Sequence, residues 1–175
     1  MIKDLVLYNP TRFPDDRGFV EEVFSPRNHK KINWKQTNWS ESVGGVLRGI
    51  HISPYWKLIT CVKGRVLDIV VDLRPYSKTY GNHFIVELNH SLTRQVLVPP
   101  YCGHGVLSLN DSTLIYLQSG VYSPKEKGYH YSSFNLSLPK INYILSAKDK
   151  TAEVYQWKKK PNWLKSIMQK MLKNF

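Results

Sequence analysis

Apolar residues in this chain come in short runs rich in Val, Ile and Leu, most of them closed by Gly, Pro, Asn or Ser. The pattern predicts strands at residues 5–8, 58–62, 66–73, 83–88, 95–98, 106–109 and 113–118. The segment GGVLRGIHISPYWKLITCVKGRVLDIVVDL, ending at Leu73, organises the rest. Its two apolar runs are split by Lys63-Gly64-Arg65 and read as a strand pair joined by a tight glycine turn. Their alternation is imperfect, as expected of strands covered on both faces. Residues 106–109 and 113–118 likewise read as a hairpin around Asn110-Asp111-Ser112, and PPYCGHG at 99–105 as a rigid turn that delivers His104. Residues 13–24, FPDDRGFVEEVF, read as a surface hairpin arm. Gln36, Asn38 and Ser40 alternate with other residues at strand spacing and, taken alone, read as a solvent face.

Turns recurring about every eight to twelve residues, with almost no helical periodicity before residue 140, predict an all-β antiparallel sandwich or barrel. The tail differs. Apolar residues at 164, 167, 168, 171, 172 and 175 fall at helical spacing with lysines on the other face. The expected division is a β domain over 1–150 and a basic extension over 151–175 carrying an amphipathic helix. That helix is expected to dock on its own barrel or on a second subunit; resting on an anionic membrane surface is the lesser alternative.

A chain of 175 residues suits one domain with a substantial core. Its net charge of +12, from 25 basic and 13 acidic residues, favours an anionic partner. A nucleic acid, a membrane surface and a phosphorylated small molecule all fit that charge, but no nucleic-acid-binding signature accompanies it. No apolar run approaches membrane-spanning length, and the first residues turn polar too early for a signal peptide, so cytoplasmic residence is expected. Cys61 and Cys102 form no metal-like pair, and both suit a reducing compartment.

Three chemically capable side chains, Arg48, His51 and Lys57, lie close together in the organising segment. Arg48 and His51 have opposite parity on a flat strand, and Gly49 between them is where a bulge would bring both to one side. His51 and His104 each stand alone, without an acid placed by spacing. Two imidazoles are too few for a transition-metal site, so no catalytic metal is expected.

Read together, the motifs Asp16-Arg17-Gly18 with Phe19 and Glu21, Gln36-x-Asn38-x-Ser40, Gly45 to His51, Lys57-Leu58, Val71-Asp72-Leu73-Arg74, Pro99-Pro100, His104-Gly105 and Tyr122-Ser123-Pro124 occur in one order. That order resembles the dTDP-4-dehydrorhamnose 3,5-epimerase family. The resemblance implies a cupin jelly-roll barrel, usually homodimeric, with no cofactor, acting on a nucleotide-linked 4-keto-6-deoxy sugar in deoxysugar and polysaccharide biosynthesis. It implies His51 as the base, Tyr116 as the acid and Lys57 as the cation beside the ketone oxygen. It also implies Arg48 and His104 in the active site, Gln36 and Asn38 lining the pocket, and Arg17, Phe19 and Glu21 on an arm that reaches the nucleotide, often across the dimer.

Three departures from the family pattern stand out. A late aspartate that pairs with the base histidine aligns with Ser133, the loop Ser53-Pro54-Tyr55-Trp56 is short and lacks a glutamine near Lys57, and Val121 stands where tyrosine is common. The serine leaves room for a 3,4-ketoisomerase on the same substrate class, or for a non-catalytic nucleotide-sugar-binding cupin.

Overall fold

The computed structural model describes residues 1–29, 31–92 and 94–157. Its strands are β1 (Val6–Tyr8), β2 (Arg12–Asp15), β3 (Gly18–Glu21), β4 (Gln36–Ser42), β5 (Leu47–Ile52) and β6 (Lys57–Lys63). They continue with β7 (Arg65–Val71), β8 (His83–Asn89), β9 (Gln95–Val98), β10 (Gly103–Ser108) and β11 (Ser112–Gln118). One short helix, α1 (Ala147–Lys150), follows near the end. A five-stranded sheet in the order β1-β9-β6-β11-β4 packs on a four-stranded sheet in the order β5-β10-β7-β8, and β2 and β3 form a separate hairpin. The expected all-β jelly-roll barrel is present. The amphipathic helix expected over 163–175 lies outside the described residues.

Two strand pairings expected from the sequence are corrected. β6 and β7 do not pair: β6 lies between β9 and β11, whereas β7 lies between β10 and β8. Gly64 is therefore a corner where the chain crosses from one sheet to the other. The same holds for β10 and β11, which belong to opposite sheets. The two corners touch, with the Arg65 amide donating to Asn110 Oδ1 at 2.7 Å. Strand propensity reports that a segment is extended, not which neighbour it chooses.

The expected turn at 99–105 is also shorter than read, because β10 begins at Gly103 and includes His104. Gly103 marks close packing there. A Cβ at that position would come within 2.5 Å of Ile50 Cγ2.

Among the described residues, three apolar layers hold the fold. Ile59, Cys61, Val70, Val96 and Val106 fill the space between the sheets. Leu58, Leu97 and Leu117 face outward from the five-stranded sheet, under Phe24, Trp34 and Trp56. Leu47, Ile50, Ile69 and Leu107 face outward from the four-stranded sheet and are covered by the C-terminal segment through Phe134, Leu136 and Tyr155. Both faces of the central strands are thus dry, which explains their near-continuous apolar runs. Cys61 and Cys102 are buried free thiols. Among the described residues, no helix is long and apolar enough to cross a membrane.

Candidate active site

Inward-facing positions of the barrel change character along their length. One end is the apolar plug just described; at the other, the same strands turn polar side chains inward. These line a cavity of about 360 Å³ that includes Asn38, Arg48, His51, Lys57, His104 and Tyr116. For the β4 face the alternation alone suggested solvent, whereas the resemblance implied pocket lining by Gln36 and Asn38. Asn38 and Ser40 of β4 point into the cavity and the alternate residues Thr37 and Trp39 point out. Gln36 stands behind them, donating to Asn38 Oδ1 at 2.7 Å and accepting from the Tyr122 amide at 2.8 Å.

Arg48 and His51 reach the same cavity because β5 is bulged. His51 sits opposite His104 and Arg48 opposite Val106, so three steps along β5 match two along β10. Gly49 occupies the extra position with φ +105°, a conformation that other residues adopt only under strain, and an added Cβ would lie 2.5 Å from the His104 carbonyl. Arg48 is exposed at the rim, donating to Ser42 Oγ and the Glu41 carbonyl, each at 2.9 Å.

His51 has a carboxylate partner, and it is not where the sequence pointed. Ser133 lies in a 3-10 turn over Tyr131–Ser133, and its hydroxyl accepts from the Tyr155 amide at 2.9 Å. The partner is Asp149 of α1, whose Oδ1 lies 2.7 Å from His51 Nε2, 98 residues away in the chain. Ser146 caps that helix by accepting from the Asp149 amide at 3.1 Å. Burial opposes ionisation of Asp149, but hydrogen bonding from His51, Ser146 and the Gly49 amide outweighs it and holds the carboxyl below its usual range. An anionic Asp149 fixes the imidazole and stabilises the imidazolium.

A second histidine–carboxylate pair lies deeper. His104 Nε2 is 2.8 Å from Asp68 Oδ2 on the adjacent strand β7, and both are buried. The His104 ring also meets Tyr116 edge-on, with centroids 6.2 Å apart.

Tyr116 and Lys57 come from the sheet opposite His51. Burial, with the Asp68 charge adding to it and Arg48 opposing, pushes the Tyr116 phenol well above its usual value, so it keeps its proton. Lys57 is buried, and desolvation lowers its ammonium to about 8 although Glu126 and Asp68 both pull the other way. At neutral pH it stays charged.

Asp149, Asp68, Glu126, Tyr55 and Lys148 belong to or support this site and were missed in the sequence. Glu126 follows the Tyr122-Ser123-Pro124 motif by two residues, and Ser146-Ala147-Lys148-Asp149 is a recognisable helix start. Neither signal says which cavity the side chain reaches. Arg17, Phe19 and Glu21 lie on the β2–β3 hairpin, outside this cavity. Arg17 pairs with Asp15 at 2.7 Å, and Glu21 is engaged by Arg12, whose guanidinium also covers the Phe19 ring at 3.8 Å. Among the described residues, no three His, Cys, Asp or Glu side chains are grouped to hold a metal ion.

Comparison with known proteins agrees with this geometry. The sequence profile of the dTDP-4-dehydrorhamnose 3,5-epimerase family matches residues 1–156. A dTDP-4-dehydrorhamnose 3,5-epimerase of Shigella flexneri is 37% identical over 161 residues, 85% of this chain and 89% of that one. A dTDP-4-dehydrorhamnose 3-epimerase of Streptomyces niveus is 42% identical over 156 residues, 82% of this chain and 75% of that one. The crystal structure of a 3,5-epimerase from Legionella pneumophila in complex with dTDP-4-keto-L-rhamnose superposes with a TM-score of 0.83 at 30% identity, covering 88% of this chain and 89% of that one. The match spans the barrel, the C-terminal cover and Asp149, and this chain belongs to the dTDP-4-dehydrorhamnose 3,5-epimerase family, a family of carbohydrate isomerases.

Proposed function

We propose that this chain inverts carbon 3, carbon 5 or both of a nucleotide-linked 4-keto-6-deoxy sugar by removing and returning the protons beside the ketone. One observation carries the reading: His51 and Tyr116 enter one cavity from opposite sheets, with the buried Lys57 ammonium beside them. Inversion needs a base on one face of the sugar ring and an acid on the other.

In this reading the ketone oxygen sits at Lys57. Neutral His51 takes the proton from carbon 3 or 5, and its imidazolium is stabilised by Asp149. The electron pair moves into the enolate, whose oxygen is held by the Lys57 ammonium. The Tyr116 hydroxyl then protonates the carbon from the other face. Solvent restores both side chains, and the ketone ends where it began. Arg48 at the rim, with Lys148 on α1, supplies positive charge for the diphosphate.

The arm supports a homodimer. Phe13, Phe19 and Val20 are exposed on the β2–β3 hairpin, and Arg17 lies apart from its own cavity, so the arm is placed to serve the nucleotide of a second copy. The buried free thiols suit the cytoplasm. The ketoisomerase alternative drew its support from Ser133, and with Asp149 beside His51 that support falls away.

The test is proton NMR in deuterated water with a dTDP-linked 4-keto-6-deoxy sugar. Deuterium should enter carbon 3, carbon 5 or both, and should vanish in His51→Ala. Tyr116→Phe should keep exchange from the His51 side while losing the inverted product. No exchange with dTDP-, UDP- and GDP-linked sugars would overturn the reading, and a relocated ketone would replace it with isomerisation.

A further inference from the structure

The short turn between β5 and β6 places two donors on one carboxylate. Ser53 Oγ donates to Glu126 Oε2 at 2.6 Å and Tyr55 Oη donates to Glu126 Oε1 at 2.5 Å. The Ser123 amide adds a weaker bond to Oε1 at 3.3 Å. Ser53 and Tyr55 are both buried, and the Tyr55 ring lies 5.7 Å from Lys57 Nζ. Both Glu126 oxygens are thus tied to the wall of the cavity that holds Lys57. This is the stretch where the sequence departs from the family pattern, in length and in the absence of a glutamine near Lys57.

We propose that Ser53 and Tyr55 are positioning residues that clamp the Glu126 carboxylate beside Lys57, so that Lys57 remains an ammonium while the enolate forms. The proposal rests on the role given to Lys57 in the preceding section. A lysine removed from water loses its proton readily unless a fixed negative charge compensates, and a carboxylate free to swing into solvent compensates poorly. The groups that share this space with Lys57 are the Glu126 carboxylate beyond β11, Asp68 on β7, His104 on β10, Tyr116 on β11 and the Tyr55 ring before β6. Arg48 and His51 line the same cavity from β5, Lys148 and Asp149 from α1, and Tyr122 from the turn after β11. Asp68 is already engaged with His104. Glu126 is the carboxylate held by the short turn. Desolvation lowers Lys57 while Glu126 is the first of the opposing influences, which agrees with that arrangement.

The experiment follows the Lys57 side chain directly, by NMR of protein carrying 13C-labelled lysine, with Lys57→Met to assign its signal. Glu126→Gln should lower the Lys57 titration by roughly one pH unit or more. Tyr55→Phe, which keeps the ring over the ammonium, and Tyr55→Phe with Ser53→Ala should move it in the same direction by a smaller amount. Melting curves identify any variant that fails to fold. In turnover, the alkaline limb of the kcat profile should move down with the titration. A shift in Glu126→Gln but none in either clamp variant would overturn the positioning role, and no shift in any of the three would overturn the proposal entirely. The titration is read without turnover, so absence of epimerisation in the unaltered protein would sink the functional reading and leave the clamp still judged by its own result.

Discussion

Two histidine–carboxylate pairs stand face to face across β5 and β10, with nearly the same bond, 2.7 Å in His51–Asp149 and 2.8 Å in His104–Asp68. Their surroundings differ. The His51 side chain is 34% exposed, whereas that of His104 is 6% exposed. Asp149 is brought by a helix outside the barrel, whereas Asp68 belongs to a barrel strand. A proton carrier must exchange protons with water, and of these two pairs the His51 pair is the accessible one. The His104 pair is built into the barrel wall. Nearly equal hydrogen bonds thus sit in unequal surroundings, and in the proposed mechanism it is access that assigns the base to His51 and not to His104.

The sharpest test of that contrast is to remove each imidazole. His51→Ala should lower kcat by roughly 10²- to 10⁴-fold, the usual contribution of a general base. His104→Ala should lose less in exchange and more in thermal stability; equal losses in both variants would end the distinction. Lys57 couples to the deeper pair through Asp68 and separates rate from stability. Lys57→Met should cost roughly 10²- to 10³-fold in rate by removing the charge at the enolate oxygen.

The same substitution should stabilise the fold. The folded value of about 8 lies below the unbound 10.5, so the folded protein holds this proton less tightly than the unfolded chain does. The charge therefore opposes folding at neutral pH, and stability should rise as pH climbs from about 8 to about 10.5. Urea melts of Lys57→Met at pH 7 should show a gain of about 1–3 kcal/mol.

Exchanging each carboxylate for its amide sharpens the comparison further. Asp149→Asn should lower kcat by roughly tenfold or more, the rate equivalent of losing a charged hydrogen bond worth about 1.5–3 kcal/mol, but by less than His51→Ala does. Asp68→Asn should instead lower stability by about 1–3 kcal/mol, since it disturbs a buried pair. The Asp149 carboxyl sits below its usual 3.8, so its stabilising charge is present above that pH and lost as pH falls through the lower folded value. Asp149→Asn should accordingly flatten the decline of urea midpoints below about pH 4. The smallest effect belongs to Ser133→Ala, which removes one acceptor for the Tyr155 amide. It should cost about 1 kcal/mol and leave the exchange rate unchanged; a large loss of rate would restore Ser133 as the partner of the base.

Much of this was legible in the sequence, and the limits have physical causes. Val- and Ile-rich runs marked the strands, because those signals are local, and the family resemblance named His51, Lys57 and Tyr116, which the structure brings to one cavity. The bulge at Gly49 was readable from the parity of Arg48 and His51. Strand partners were not, because Gly64 and Asn110 turn the chain as readily between sheets as within one. Gly103 looked like a turn residue but makes room for Ile50. Asp149 was missed because a carboxylate far along the chain has no sequence relation to the histidine it serves. The expected alignment placed the partner at Ser133, inside the C-terminal segment but 16 residues too early along the chain's path.

That path has a consequence for how the protein is made. On the ribosome, every barrel strand has been synthesised once Gln118 emerges, and His51, Lys57 and Tyr116 are then all available. Asp149 comes later in the chain, beyond the segment whose Phe134 and Leu136 cover the four-stranded sheet in the finished fold. A nascent chain therefore carries every barrel strand before it carries the carboxylate that pairs with His51, so under the proposed mechanism proton transfer waits on that last stretch of chain.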